Sequence, residues 1–96
     1  MRHAEPSSKF RHDIKRVRGG IYRNLLPKGG ELDKVTRMLE TGIPLPAKYH
    51  DHPLHGQWEG SRYCHIRPDL VLVYTLEGDD VLRLERLGSH TELFGM

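Results

Sequence analysis

Three histidines, a carboxylate and an arginine punctuate the second half of the chain: His52, His65, Asp69, Arg86 and His90. They lie in a run of short segments. First comes His52-Pro53-Leu54, followed by Gly56, Trp58, Gly60 and Arg62; then His65-Ile66-Arg67-Pro68-Asp69; then Glu85-Arg86-Leu87-Gly88-Ser89-His90, closed by Leu93-Phe94-Gly95. Imidazole gives or takes a proton near neutral pH, and a guanidinium is a permanent cation shaped for phosphate. Groups of these types at the ends of predicted strands can move protons and hold a phosphate together, and packing a small core does not demand them.

Taken singly, each residue also has an ordinary explanation. His52, before a proline, suits a loop anchor; His65 suits a hydrogen-bonded strand histidine; Asp69, after Pro68, suits a turn. Arg86 reads equally as a strand-end surface residue, His90 as a first-turn helix residue and Phe94 as core. Arg62 either binds phosphate or holds the sheet edge. Trp58, Gly60 and Tyr74 read as structural.

The elements that must position these residues follow from pattern and punctuation. Ser7-Ser8 can cap a first helix whose apolar positions Phe10, Ile14, Val17, Ile21 and Leu25 keep helical spacing, with Gly19-Gly20 a possible break inside it. Pro27 and Gly29-Gly30 stop it. A second helix runs from Glu31 to about Thr41, with Leu32, Val35, Met38 and Leu39 on one face and Gly42 and Pro44 as terminators. The two are expected to form a hairpin. Residues 43–56 show no period and read as a loop. Strands are expected over 57–67, 70–76 and 81–87, joined by short antiparallel links, the apolar middle one central. Ser89-His90-Thr91-Glu92 has capping-box spacing, so a short last helix starts at Ser89.

Length and composition set the outer bounds. The 96 residues are read as one domain, 1–96, and 36% hydrophobic content supports a modest core. The single cysteine, Cys64, permits no intramolecular disulfide and no thiolate cluster, which fits a reducing compartment. No apolar run approaches a membrane span and the charged N-terminus lacks a secretory core, so the protein is read as cytoplasmic, with no membrane partner. The net charge of +2 hides an asymmetry: residues 1–37 carry ten Lys/Arg against four Asp/Glu, and residues 38–96 carry five against nine. Lys9, Arg11, Lys15, Arg16, Arg18 and Arg23 give the first helix either a solvated face or a surface for a polyanion.

The order helix, helix, three strands, short helix, with the residues quoted above, resembles the RelE/YafQ-type toxins of bacterial type II toxin–antitoxin systems, the YafQ branch above all. The resemblance covers roughly residues 7–95 and is most specific from Asp51 to Gly95. It implies an α+β fold in which a helical hairpin packs on a small antiparallel sheet with a short C-terminal helix. It also implies an endoribonuclease that cuts messenger RNA in the ribosomal A site, and a cognate antitoxin that wraps the toxin in a hetero-oligomer. By the same resemblance His52, His65, Asp69 and His90 match acid–base positions, Arg86 a phosphate-binding arginine and Phe94 an aromatic that positions the nucleotide. Arg62 is a secondary substrate-binding candidate. No metal or other cofactor is implied.

The chain departs from the family pattern in places. Residues 1–6 are poor strand formers, so the family's first strand is expected to be short or absent. Residues 19–30 are long and glycine-rich for an inter-helix turn. Leu70 stands where relatives often carry tryptophan, and His55 replaces a neutral polar residue. Two rival readings are a metal site, since His50, His52 and His55 lie close together in sequence, and a non-catalytic module that binds nucleic acid or an acidic partner. The histidine spacing matches no common zinc motif, and the full set of acid, base and arginine argues against a degenerate enzyme.

Overall fold

Alternation in the strands and a three-to-four repeat in the helices divide the apolar residues between two faces of one sheet. The computed structural model describes residues 1–95. In chain order these form β1 (His3–Pro6), α1 (Ser8–Arg18), α2 (Glu31–Thr41), β2 (His52–Pro53), β3 (Arg62–Arg67), β4 (Leu70–Glu77), β5 (Val81–Gly88) and α3 (His90–Phe94). The sheet order is β1-β5-β4-β3-β2, so β4 is central, as its run of apolar residues requires. From β5 to β2 every pairing is antiparallel.

One face carries Cys64, Ile66, Leu72, Tyr74, Leu82 and Leu87 against Phe10 and Val17 of α1 and Leu32, Val35 and Leu39 of α2. Each such aliphatic side chain contributes about 1.5–3 kcal/mol by leaving water. The other face is thinner: Val71 and Val73 are covered by Leu93 of α3, with Leu54, Trp58, Tyr63 and Phe94 packed around them.

Several boundaries differ from the sequence-based expectation. The first helix ends at Arg18, where Gly19 caps it, and the apolar positions Ile21 and Leu25 belong to a looser segment with one 3₁₀ turn at Arg23–Leu25. Two adjacent glycines cost helix stability that no packing at Ile21 recovers, since that side chain is exposed. The second helix matches its expected range, closed by Gly42 in the left-handed conformation (φ 81°).

The first strand, expected to be short or absent, is present and short, at four residues. β1 forms and pairs in parallel with β5, His3 opposite Val81 through Pro6 opposite Leu84, which makes the sheet mixed. Poor strand propensity is overridden by context: β5 offers an unpaired edge, and Arg2 clamps the entry by donating to the carbonyls of Gly78 and Leu39. The strand expected from residue 57 begins only at Arg62, because Gly56–Trp58 forms a 3₁₀ turn. The periodless loop contributes its own short strand, β2, on the far edge. No helix among the described residues is long and apolar enough to cross a membrane.

Candidate active site

Strand register assembles the site. His52 of β2 stands opposite Tyr63 of β3, Tyr63 opposite Val73 of β4, and Val73 opposite Arg86 of β5. Partners in register share a face, so His52, Tyr63 and Arg86 belong to one row across the sheet, on the face away from α2. In the next row His65 stands opposite Val71, which stands opposite Gly88, and His90 follows at the start of α3. The capping box is formed: Ser89 Oγ accepts the Glu92 N–H and the Glu92 carboxylate accepts the Ser89 N–H, fixing the turn that carries His90.

Rings then close the gaps between rows. Tyr63 is the hub, with its centroid 4.3 Å from His52, 5.5 Å from His65, 6.1 Å from His90 and 6.1 Å from Phe94. His90 and Phe94, one helical turn apart, approach to 4.8 Å, and Trp58 packs edge-on against Phe94. His52 and His65 lie 6.4 Å apart. The structure therefore brings His52, His65, His90 and Phe94 together around a tyrosine that the sequence reading did not single out. Its signal was present, because Tyr63 and His65 are two residues apart on a strand and must share a face.

The remaining candidates are held by partners. Asp69, in the turn between β3 and β4, accepts a hydrogen bond from the Tyr22 hydroxyl, which raises the phenol's pKa. Among the described residues neither His52 nor His65 bonds to that carboxylate; His65 Nδ1 instead lies 3.4 Å from the Pro68 carbonyl. Tyr22 comes from the long glycine-rich segment, a second contributor that the sequence reading missed. Arg86 makes a two-pronged ion pair with Asp13 of α1, Nε to Oδ2 at 2.8 Å and Nη2 to Oδ1 at 3.1 Å. Asp13 was legible in principle, since it falls between Phe10 and Val17 on the apolar side of a basic helix.

Arg62 is the candidate the geometry separates from the rest. Alternation sends it to the face of Cys64, opposite Tyr74, where it pairs with Asp51 at 3.0 Å while the Tyr74 hydroxyl donates to the other Asp51 oxygen. It braces the segment leading into β2 and stands apart from the histidines. Beside His65 a cavity of about 450 Å³ is lined by Glu31, Lys48, His50 and Arg67. Arg67 pairs with Glu31 at 2.9 Å, and Tyr49 donates to the same carboxylate. Outside the sheet, Lys9, Arg11, Lys15 and Arg18 of α1 are exposed.

Two helices on one face of a mixed five-stranded sheet, with a histidine–aromatic cluster on the other, place the protein among small α+β toxins of known structure. Over residues 2–95 the chain matches the family described as a bacterial toxin of type II toxin–antitoxin systems, YafQ, and it belongs to that family. It is 49% identical over 61 residues to the mRNA interferase toxin YafQ of Escherichia coli strain K12, a match covering 64% of this chain. That match spans 65% of the relative's length, just under two thirds. The fold is similar to the toxin in the crystal structure of the E. coli DinJ–YafQ complex (TM-score 0.79, 38% identity, 99% of this chain and 100% of that one). It is similar also to a metal-bound toxin from Helicobacter pylori (TM-score 0.81, 43% identity, 98% of this chain and 100% of that one). Among the described residues here, no three His, Cys, Asp or Glu side chains come together in a way that could hold a metal ion.

Proposed function

We propose that this protein is a ribosome-dependent mRNA interferase, an endoribonuclease that cuts messenger RNA in the ribosomal A site without a metal and so stops translation. The observation that carries the reading is the convergence of His52, His65 and His90 on Tyr63, with Arg86 in the same transverse row. Metal-free cleavage of RNA needs a base for the ribose 2′-OH, a cation for the charge growing on the phosphorus centre, and an acid for the departing 5′-oxygen. His90 is assigned as the acid, His52 or His65 as the base, and Arg86 as the phosphate cation. Phe94, at the rim of the cluster, offers a face for an unpaired base. Asp69 and Tyr22 hold the turn that ends beside His65.

Lys48, His50 and Arg67 line the neighbouring cavity and favour the path of a polyanionic strand. The exposed basic side of α1 serves two partners in turn, ribosomal RNA when the toxin is free and an antitoxin in a hetero-oligomer when it is held; a stable ternary complex of toxin, antitoxin and ribosome would contradict this. The deciding experiment is primer extension on a defined messenger RNA with and without translating ribosomes. Cuts inside codons that require ribosomes and disappear with His90→Ala establish the reading. No cleavage by folded protein refutes it, and cleavage of free RNA that EDTA abolishes refutes its metal-free, ribosome-dependent form.

A further inference from the structure

Asp13 is the only charged side chain buried among the described residues, 2% exposed, although it sits on a basic helix. β1 stops at Pro6, so beyond that point the edge of β5 has no strand beside it, and α1 with its capping residue Ser7 supplies side chains instead. Ser7 Oγ donates to the Glu85 carbonyl, Asp13 accepts the Leu87 N–H at 2.9 Å, and Arg16 Nη2 donates to the Leu87 carbonyl at 2.7 Å. Asp13 also accepts from Arg86 Nε, Arg86 Nη2 and Arg16 Nη1. Burial alone would raise its pKa; the bonds from Arg86, Leu87 and Arg16 outweigh that and hold it below the ordinary carboxylate value.

Two consequences follow for the candidate site. Arg86 commits its Nε–Nη2 edge to Asp13, which fixes the guanidinium plane and keeps Nη1 for a second anion. Arg16 extends the constraint to α3, since its Nε lies 3.2 Å from Glu92 Oε2 and Glu92 Oε1 accepts the Ser89 N–H at 2.8 Å. Gly88 lets these groups meet, because a Cβ there would stand 2.5 Å from Arg16 Nη2 and 3.0 Å from Glu92 Oε1.

We propose that Asp13 is a positioning residue for RNA cleavage: one buried carboxylate aligns Arg86 toward the phosphate and, through Arg16 and Glu92, sets the helix that carries His90. The inference rests on the function proposed above. An ordinary structural ion pair would lower the stability of the fold when broken, yet would not couple specifically to Arg86 in the rate of cleavage.

The test is single-turnover cleavage on ribosomes by wild type, Asp13→Asn, Arg86→Ala, the double variant and Gly88→Ala, each normalised to folded protein. Asp13→Asn is expected to lower the maximal rate by about 10²-fold with little change in the concentration of half-saturation. In the Arg86→Ala background the same change should cost markedly less, no more than the roughly tenfold carried by the Arg16–Glu92 route that does not pass through Arg86. Gly88→Ala alters no polar group and displaces the flexible Arg16 head; it should slow cleavage on the order of tenfold. Equal losses from Asp13→Asn in both backgrounds, or a wild-type rate in folded Asp13→Asn, would overturn the proposal. Should that variant fail to fold, a wild-type rate in Gly88→Ala would overturn it instead. Absence of cleavage by the wild type sinks the proposed function itself. Exchange of the Arg86 Nε–H with solvent, followed by NMR, reads the alignment without activity: protection must be present in wild type and lost in Asp13→Asn.

Discussion

The ring of Tyr63 meets that of His52 edge-on, centroids 4.3 Å apart and planes at 71°, across a two-residue strand pairing at the edge of the sheet. Backbone pairing and ring contact therefore hold His52 in one relation to β3, although the segments on either side of it hold only short 3₁₀ turns. The same tyrosine touches His65, His90 and Phe94, so groups from β2, β3 and α3 take their spacing from one side chain.

Tyr63→Phe is expected to cleave near the wild-type rate, because the contacts use the ring. Tyr63→Ala removes the common support and should cost about 10²-fold through misplacement of the proton-transfer groups. Cleavage rates of the two variants, compared after circular dichroism shows both folded, check this; equal rates would remove Tyr63 from the site.

His90→Ala should reduce RNA cleavage by about 10²–10⁴-fold and relieve growth arrest while leaving antitoxin affinity unchanged. His90 is half-buried at the start of α3, held there by the Ser89–Glu92 capping box, so its truncation leaves the helix caps in place. Unchanged toxicity of the variant in growing cells would refute the assignment.

Acid should destabilise the fold in a defined direction. Hydrogen bonds from Tyr49 and Arg67 lower the Glu31 pKa from 4.5. A carboxyl with a lower pKa in the folded state adds stability that is complete above its unfolded value and is lost as pH falls toward the folded one. Unfolding free energy from urea titrations should thus be flat near neutrality and decline below 4.5. Glu31→Gln should be less stable than wild type at neutral pH, with the gap closing in acid; a gap that widens in acid would contradict the sign.

Cys64 is fully buried on the helix-covered face, and burial pushes its thiol pKa up to about 12. Thiol reagents at mildly alkaline pH should modify the native protein no faster than it unfolds, and react promptly once urea exposes the residue. Rapid labelling without denaturant would show that β3 opens locally.

Much of the architecture was legible because it rests on local rules. Helical spacing and Gly42 bounded α2, Ser89 and Glu92 announced α3, and the apolar run at Leu70–Tyr74 placed β4 at the centre. Residue types raised His52, His65 and His90 as candidates, and the family resemblance singled them out together with Phe94; these four converge in space. What escaped the sequence depends on partners distant along the chain. β1 exists because β5 has an open edge, a condition that no propensity within residues 3–6 encodes. Arg62 and Arg86 are the same residue type and both lie on strands, yet register and alternation turn one toward Asp51 and the other toward Asp13.

The amino-acid sequence by itself determined the identities of the reactive side chains, the order of the three helices and the three long strands, and the family, because these reside in residue type, period and capping chemistry. Tertiary structure alone decided which groups share a face, that Tyr63 gathers the histidines, and that a carboxylate on α1 holds the arginine on β5. The physical reason is that cross-strand register, and edge hydrogen bonds between residues more than seventy positions apart, arise only when the sheet closes around its core.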